Sequence, residues 1–492
     1  MAGIGVKLNK LFGKHTIATN LVGFVYSSAI TVAPMFLVIL EIVIAGWVLG
    51  FNQLGFVTRE LFSCTVLYIF IFSLLTAAPF NAVLSKYMED CIYEERFQDI
   101  LPCYYLGLAM NIGLSCLLGV PFCLWEHFVG GVRVFYVFTG FCGYIGLVFT
   151  FYSMLYLSIC KDYGRISLDF LIGMLEAFLC TLFLRYLLHW SITESMLFGL
   201  MTGFFLTGIL EFGVVKRYFL KNSNRFRPVF QYFKKYWALV VTNFMYILGL
   251  YIHNFVFWTT DMRLVLVDTF VCNQPYDMAS CLAMFTNISA TVIFIARVEM
   301  NFHDKYKIYS EAVIGAKLAD IEIAKSRMFR QISSELMSLA RIQFIVSTVI
   351  YLIAIVVLPG AGYSGLTLRI YPCLAAGYFI VFIMYAVILF LYYYNDLLGA
   401  VLTTVGFCVV TFLGSVLATH LPELWYGVGL VAGAFTGWTI GYIRLRSCEK
   451  NLDKTIFCTG VLLKRIIGDE PTGLVYDRDA PKEGEEEAAQ AP

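Results

Sequence analysis

Long apolar runs, repeated along the chain, constrain this sequence more than any motif in it. Twelve of them, near 19–50, 61–86, 101–124, 133–159, 164–189, 193–216, 235–258, 276–298, 339–359, 369–393, 396–419 and 423–444, are long enough to cross a ~30 Å hydrocarbon core as helices. In hydrocarbon an unpaired backbone N–H or C=O is so costly that only helices and closed barrels span it. The runs are continuous rather than alternating, which selects helices. With 60% hydrophobic residues, 14% charged residues and a mean hydropathy of +0.77, a soluble globular chain is excluded. The expected fold is an all-α polytopic membrane protein of about twelve transmembrane helices.

The runs fall into two sets of six around a segment carrying Lys216, Arg217, Lys221, Arg225, Arg227, Lys234 and Lys235. A Lys or Arg at a helix centre costs about 2.5 to 3.5 kcal/mol, so this segment belongs in water. Two similar halves are an arrangement that many transporters use, with the substrate path between them. The layout expected is an interfacial amphipathic helix over 1–18, a first lobe over 19–216, a basic cytoplasmic linker over 217–234, a second lobe over 235–444 and a cytoplasmic tail over 445–492 whose acidic end is disordered. Ile4, Leu8 and Leu11 form the apolar face of the first of these, flanked by Lys7, Lys10 and Lys14. A signal peptide competes for the same stretch, but the apolar run behind it is too long for one.

Charge gives the orientation. With both termini inside, only Arg59, Arg133, Arg185, Arg263 and Arg369 face outward, five of 35 basic residues, and the other 30 face the cytoplasm. Within the second half, 299–341 reads as a cytoplasmic amphipathic helix, with Ile314, Leu318, Ile321, Met328, Ile332, Leu336 and Leu339 on one face. That face suits either the membrane surface or a docked partner, and the pattern alone does not separate the two.

Intramembrane polar residues are the candidate functional groups, because each needs a partner, water or protonation. Glu176 lies half-way along the fifth span, with Glu41 and Glu211 nearer the ends of theirs. It is read equally well as a coupling group or as a packing carboxyl. His253 and Asn254 lie side by side before Phe255 and Trp258 in the seventh span, a polar pair beside aromatic rings that suits a sugar path or a water-filled vestibule. Asn81 follows Pro79 in the second span, which exits through Lys86, and the eighth exits similarly through Arg297 and Glu299. Asn287 begins a glycosylation sequon but lies inside the eighth span, where it reads as a hydrogen-bonding residue between helices. Gly360, Gly362 and Gly365 match a nucleotide fingerprint in spacing, but without the strand-turn-helix context they read as a turn. Gly429, Gly433, Gly437 and Gly441 read as a close-packing stripe. No elbow serine or metal-ligand cluster occurs and no extramembrane segment is long enough to fold a catalytic domain, so neither an enzyme nor a cofactor is expected. The fourteen cysteines mostly lie within apolar runs and read as small hydrophobes.

Several stretches carry a more specific signal. MAGIGVKLNKLF at the start, PFNAVLSKYMEDCIYEERFQDILP from Pro79 to Pro102, QPYDMASCLAMF from Gln274 to Phe285 and RVEMNFHDKYKIYSEAV from Arg297 to Val313 resemble the PelG family of exopolysaccharide transporters, in order and spacing, out to about Arg446. The chain departs from that family's pattern at His253-Asn254, where an acid and a lysine are usual, and near Ser289, where a proline is. The resemblance implies two six-helix lobes around a central cavity walled by the first, second, seventh and eighth spans. It also implies export of an amino-sugar polymer or its precursor across the bacterial cytoplasmic membrane, with a cytoplasmic glycosyltransferase and other membrane subunits as partners, membrane lipid around the chain, and no nucleic acid. A cation-coupled multidrug exporter, with Glu41 or Glu176 as the coupling acid, is the rival reading within the superfamily. A membrane-embedded polymerase and a non-transporting scaffold of a synthase complex are rivals from other classes.

The orientation is open to a direct check. Single cysteines placed at Arg263 or Arg369 are expected to react with a charged maleimide from outside, and those at Arg225 or Arg327 are not. Outside labelling at Arg225 would overturn the two-half topology.

Overall fold

The computed structural model describes residues 17–160, 162–287, 299–315, 317–360 and 365–458. The expected N-terminal amphipathic segment, Arg297 and the acidic tail lie outside them. The first half contributes α1 (Ile17–Leu49), α2 (Phe56–Tyr93), α3 (Ile100–Phe128), α4 (Val134–Cys160), α5 (Tyr163–Tyr186) and α6 (Ile192–Tyr218). The basic segment forms a short helix, α7 (Arg227–Lys235), which runs into α8 (Trp237–Phe257). After α8 come a hairpin, β1 (Leu264–Leu266) and β2 (Phe270–Cys272), then α9 (Gln274–Asn287), α10 (Glu299–Gly315), α11 (Leu318–Gly360), α12 (Gly365–Tyr393), α13 (Leu397–Ala418) and α14 (Val428–Cys458). Among the described residues ten helices are long and apolar enough to cross a bilayer, α1 contains a shorter apolar stretch, and α9 lies where the sequence leads one to expect a further span. The chain is an all-α polytopic protein with about twelve spans.

Local chemistry explains where several helices begin. The Asp162 carboxylate accepts from the Arg165 N–H at the start of α5, and Ser191 and Glu194 form the same kind of cap at the start of α6. At the start of α13 the Asp396 carboxylate accepts from the Gly399 N–H and also takes two bonds from Arg444 of α14, at 2.7 and 3.0 Å. One carboxylate thus caps one helix and ties it to the next, through the bidentate geometry that a guanidinium favours.

Two apolar cores result, one in each half. The first is built by α1 to α6, the second by α8 to α14, and each takes material from the other half: Leu266, Phe270 and Cys272 of the hairpin sit in the first core, and Ile71 of α2 in the second. Within the second half α13 packs against α14 along the glycine stripe. A Cβ at Gly433 would overlap the Thr411 hydroxyl and lie 2.7 Å from the Thr411 backbone nitrogen and 2.8 Å from the Phe407 carbonyl oxygen. Only a residue without a side chain lets the two backbones approach this closely.

The 299–341 segment differs from the single helix expected. It divides into α10 and the first part of α11, and α11 continues without a break into the ninth span, giving a 43-residue rod. Ile321, Met328, Ile332 and Leu339 are buried, as their spacing requires, but against the protein itself: Phe329 stacks on Tyr394 at 5.2 Å, and the face joins the second core. Leu318 remains 71% exposed. The apolar face assigned to a membrane surface or a partner is therefore occupied by the second half's own helices.

Gly433→Val is expected to lower the thermal stability of the detergent-solubilised protein by about 1 to 3 kcal/mol equivalent, the usual range for overpacking. A melting temperature equal to wild type would show that α13 and α14 can separate without loss.

Candidate functional site

The two halves meet along α2 and α8. At the end away from α7, Tyr68 stacks on Trp258 at 5.1 Å, and one helical turn on Phe72 stacks on Phe255 at 6.0 Å. Nearer α7, Asn243 Nδ2 donates to the Ala78 carbonyl at 2.7 Å. At the α7 end itself Tyr232 donates to Asp90 at 3.3 Å and packs edge-on to Tyr87.

Beside this seam lies a cavity of about 550 Å³, a size typical of ligand sites. Its walls come from α2, α3 and α4, closed by Phe244 of α8 and Phe270 of the hairpin. Tyr68, Phe72, Phe122 and Phe141 supply ring surface. The hydroxyls on the wall are engaged with one another or with backbone: Thr65 with Tyr136 at 3.1 Å and with the Leu61 carbonyl at 2.7 Å, Tyr144 with Thr76 at 3.0 Å. Glu126 is the acid on the wall, fully buried, with Oε2 accepting from Thr269 of the hairpin and Oε1 without a partner among the described residues. Such a surface offers rings and few free donors, which suits the apolar faces of a sugar or a hydrocarbon better than a bare ion.

None of the candidate residues whose side chains are described lines this cavity. His253 is fully buried, with Nδ1 2.9 Å from the Tyr276 hydroxyl and Nε2 3.3 Å from that of Tyr378. Asn254 donates to Asp277 Oδ1 at 2.7 Å, and Trp258 Nε1 lies 3.0 Å from both oxygens of Asp277, which also accepts from the Asn273 N–H at 2.9 Å. The polar pair thus belongs to a hydrogen-bonded cluster joining α8, α9 and α12. Asp277 is its centre and was not singled out from the sequence, although an acid in the first turn of a span signals it. Asn287 is also a junction: Nδ2 donates to Ala283 and Ala375 carbonyls at 3.0 Å each, and Oδ1 accepts from Ser347 at 2.7 Å, linking α9, α12 and α11.

The remaining candidates are scattered. Asn81 lies on α2 two residues beyond Pro79, which does line the cavity, and its Oδ1 has no partner among the described residues. Lys86 pairs with Asp90 at 2.6 Å, one turn on. Glu176 is half-buried on α5 and reaches Thr202 of α6 within the first half, while Glu41 is buried on α1 with neither oxygen bonded among the described residues. Glu299 opens α10. Among the described residues no cluster of three or more His, Cys, Asp or Glu side chains is placed to hold a metal.

Comparisons with known proteins agree with this architecture. The profile of the PelG family, described as "Putative exopolysaccharide Exporter (EPS-E)", matches residues 1–457. No curated relative matches the sequence. Among solved structures, a multidrug resistance MATE family transporter of the MOP superfamily is similar in its inward-facing conformation, with a TM-score of 0.57 at 12% identity over 86% of this chain and 96% of that one. An outward-facing structure of such a transporter gives 0.56 at 14% identity, over 88% and 96%. A MOP superfamily transporter from Pyrococcus furiosus gives 0.52 at 13% identity, over 87% and 96%. At these identities the likeness concerns the fold.

Asp277→Ala leaves the Trp258 N–H, the Asn254 amide and the Asn273 N–H without their acceptor. It is expected to destabilise the protein by about 3 kcal/mol or more, since each orphaned buried group costs roughly 1 to 3 kcal/mol. Thermal unfolding in detergent measures this, and wild-type stability would show that the cluster is not structural.

Proposed function

The chain belongs to the PelG family of exopolysaccharide exporters, and from that premise we propose that it carries an amino-sugar polymer or its precursor out of the bacterial cytoplasm between its two halves, working with a cytoplasmic glycosyltransferase. It is a membrane transporter by family and by fold. The observation that supports a path for a sugar chain is the ring-lined cavity beside the α2–α8 seam, because rings stack on the apolar faces of sugars. Lys86 and Asn81 lie on α2 between that cavity and the basic segment and form the inner approach to it in this reading.

The orientation proposed has both termini and α7 in the cytoplasm, with the hairpin outside. The halves correspond to lobes over 19–216 and 235–444 joined by the basic linker. His253, Asn254, Trp258 and Asn287 act in it by holding the second half's helices in register, and Glu176 by packing or coupling within the first half. In the sequence Arg297 and Glu299 follow the eighth span, and this reading puts the delivery of polymer by a synthase on that side. The multidrug rival rests on a fold likeness alone, whereas the family match spans residues 1–457 and favours the polysaccharide.

Phe141→Ala and Phe244→Ala each remove one ring from the cavity wall. Each is expected to lower polymer export roughly two- to tenfold, the equivalent of one aromatic contact, while the amount of protein in the membrane stays constant. Secreted polymer is measured by lectin or antibody binding against membrane abundance on immunoblots. Unchanged export in both variants would exclude this cavity from the path. Affinity isolation of the tagged chain from membranes tests the partnership, which requires a glycosyltransferase to be retained with it.

A further inference from the structure

The hairpin between α8 and α9 is seated more elaborately than a connection requires. It belongs to the second half in sequence, yet Leu266, Phe270 and Cys272 are buried in the core of the first. The Tyr68 hydroxyl donates to the Val271 carbonyl at 2.6 Å and accepts from the Val271 N–H at 3.2 Å, so one α2 side chain satisfies both backbone groups of an edge residue. Thr269 donates to the enclosed carboxylate of Glu126 on α3. Gly130, just past α3, makes room for this: a Cβ there would overlap the Thr269 hydroxyl and lie 3.0 Å from the Val267 carbonyl oxygen. The turn itself is strained. Val267 and Asp268 adopt φ of 48° and 61°, a left-handed pair for which hairpins prefer Asn-Gly and which a β-branched residue resists. Contacts from the first half therefore hold a turn that its own sequence disfavours.

Phe270 and Glu126 also line the cavity, so the seated hairpin closes it at the end away from α7. We propose that this hairpin is the outer gate of the transport path, and that Glu126 is the positioning residue that holds it shut through Thr269. The proposal rests on reading the chain as an exporter. While Thr269 is held on Glu126 and Val271 on Tyr68, the two halves are strapped together at their outer ends. Lifting the hairpin opens the cavity outward and lets the turn relax, so shut and open arrangements are brought closer in energy than the number of buried contacts alone would make them.

Two native cysteines report on the gate. Cys272 of β2 is 4% exposed, and its thiol lies against that of Cys64 on α2. Labelling of Cys272 by a charged, membrane-impermeant maleimide, resolved peptide by peptide, measures how often the hairpin lifts. It is expected to be slow in wild type and in Glu126→Gln, which keeps an oxygen for Thr269. It is expected to be roughly five- to a hundredfold faster in Glu126→Ala, the equivalent of leaving one buried hydrogen-bonding group without its partner. Gly130→Ala, whose Cβ would overlap the Thr269 hydroxyl and lie 2.7 Å from the Glu126 backbone oxygen while the carboxyl group itself is kept, is expected to act in the same direction. Equal rates in all four proteins would overturn the proposal. Independently, copper–phenanthroline joins Cys64 to Cys272, the oxidant taking two electrons and two protons leaving as the S–S bond forms. Export is then expected to stop and to return on thiol reduction, with Cys64→Ser indifferent to the treatment. Full export with the disulfide formed would remove the gate and leave the exporter reading standing. Absence of export from untreated wild type would count against the exporter reading, with the labelling rates still deciding the hairpin.

Discussion

The structure depends on the seam where α2 meets α8. Each half has its own apolar core, and among the described residues the contacts between them include a few ring stacks, an amide-to-carbonyl bond and the hairpin. An aromatic pair contributes about 0.5 to 1.5 kcal/mol beyond its buried area. That is small beside the close glycine packing inside each half. Two bodies with separate cores joined by a small interface are the arrangement in which alternating access costs little, because parting them disturbs the cores only where the hairpin and Ile71 cross over.

Much of the fold was legible because the bilayer removes most alternatives. Helix positions follow from apolar length, and their pairing into two sets of six follows from one basic segment. The glycine stripe at Gly429, Gly433 and Gly437 announced the α13–α14 contact, since spacing alone puts small residues on one face. The hairpin was not legible. Three-residue strands leave almost no alternation to detect, and Val267-Asp268 is not a pair from which a tight turn would be read.

The candidate site was legible in composition and not in place. Intramembrane polar residues were rightly read as needing partners, but a sequence does not say whether the partner is water, substrate or another helix. For His253 and Asn254 the partners are Tyr276, Tyr378 and Asp277, which lie from about one to several helices away in the chain. The cavity is lined instead largely by aromatic residues, whose convergence depends on how α2, α3 and α4 cross. The same ambiguity governed α11, where an amphipathic face was correctly recognised and its occupant was the protein's own second core.

That rod has a mechanical consequence. A helix of 43 residues at 1.5 Å per residue is about 65 Å long, roughly twice the hydrocarbon thickness, and its one proline, Pro359, stands in the last turn, where the missing N–H interrupts little of the ladder. Its inner part is clamped to the second core through Phe329 and Tyr394, and its membrane part meets Asn287 through Ser347. One continuous helix, with no loop between, thus ties the second core at Phe329 to the end of α9 at Asn287.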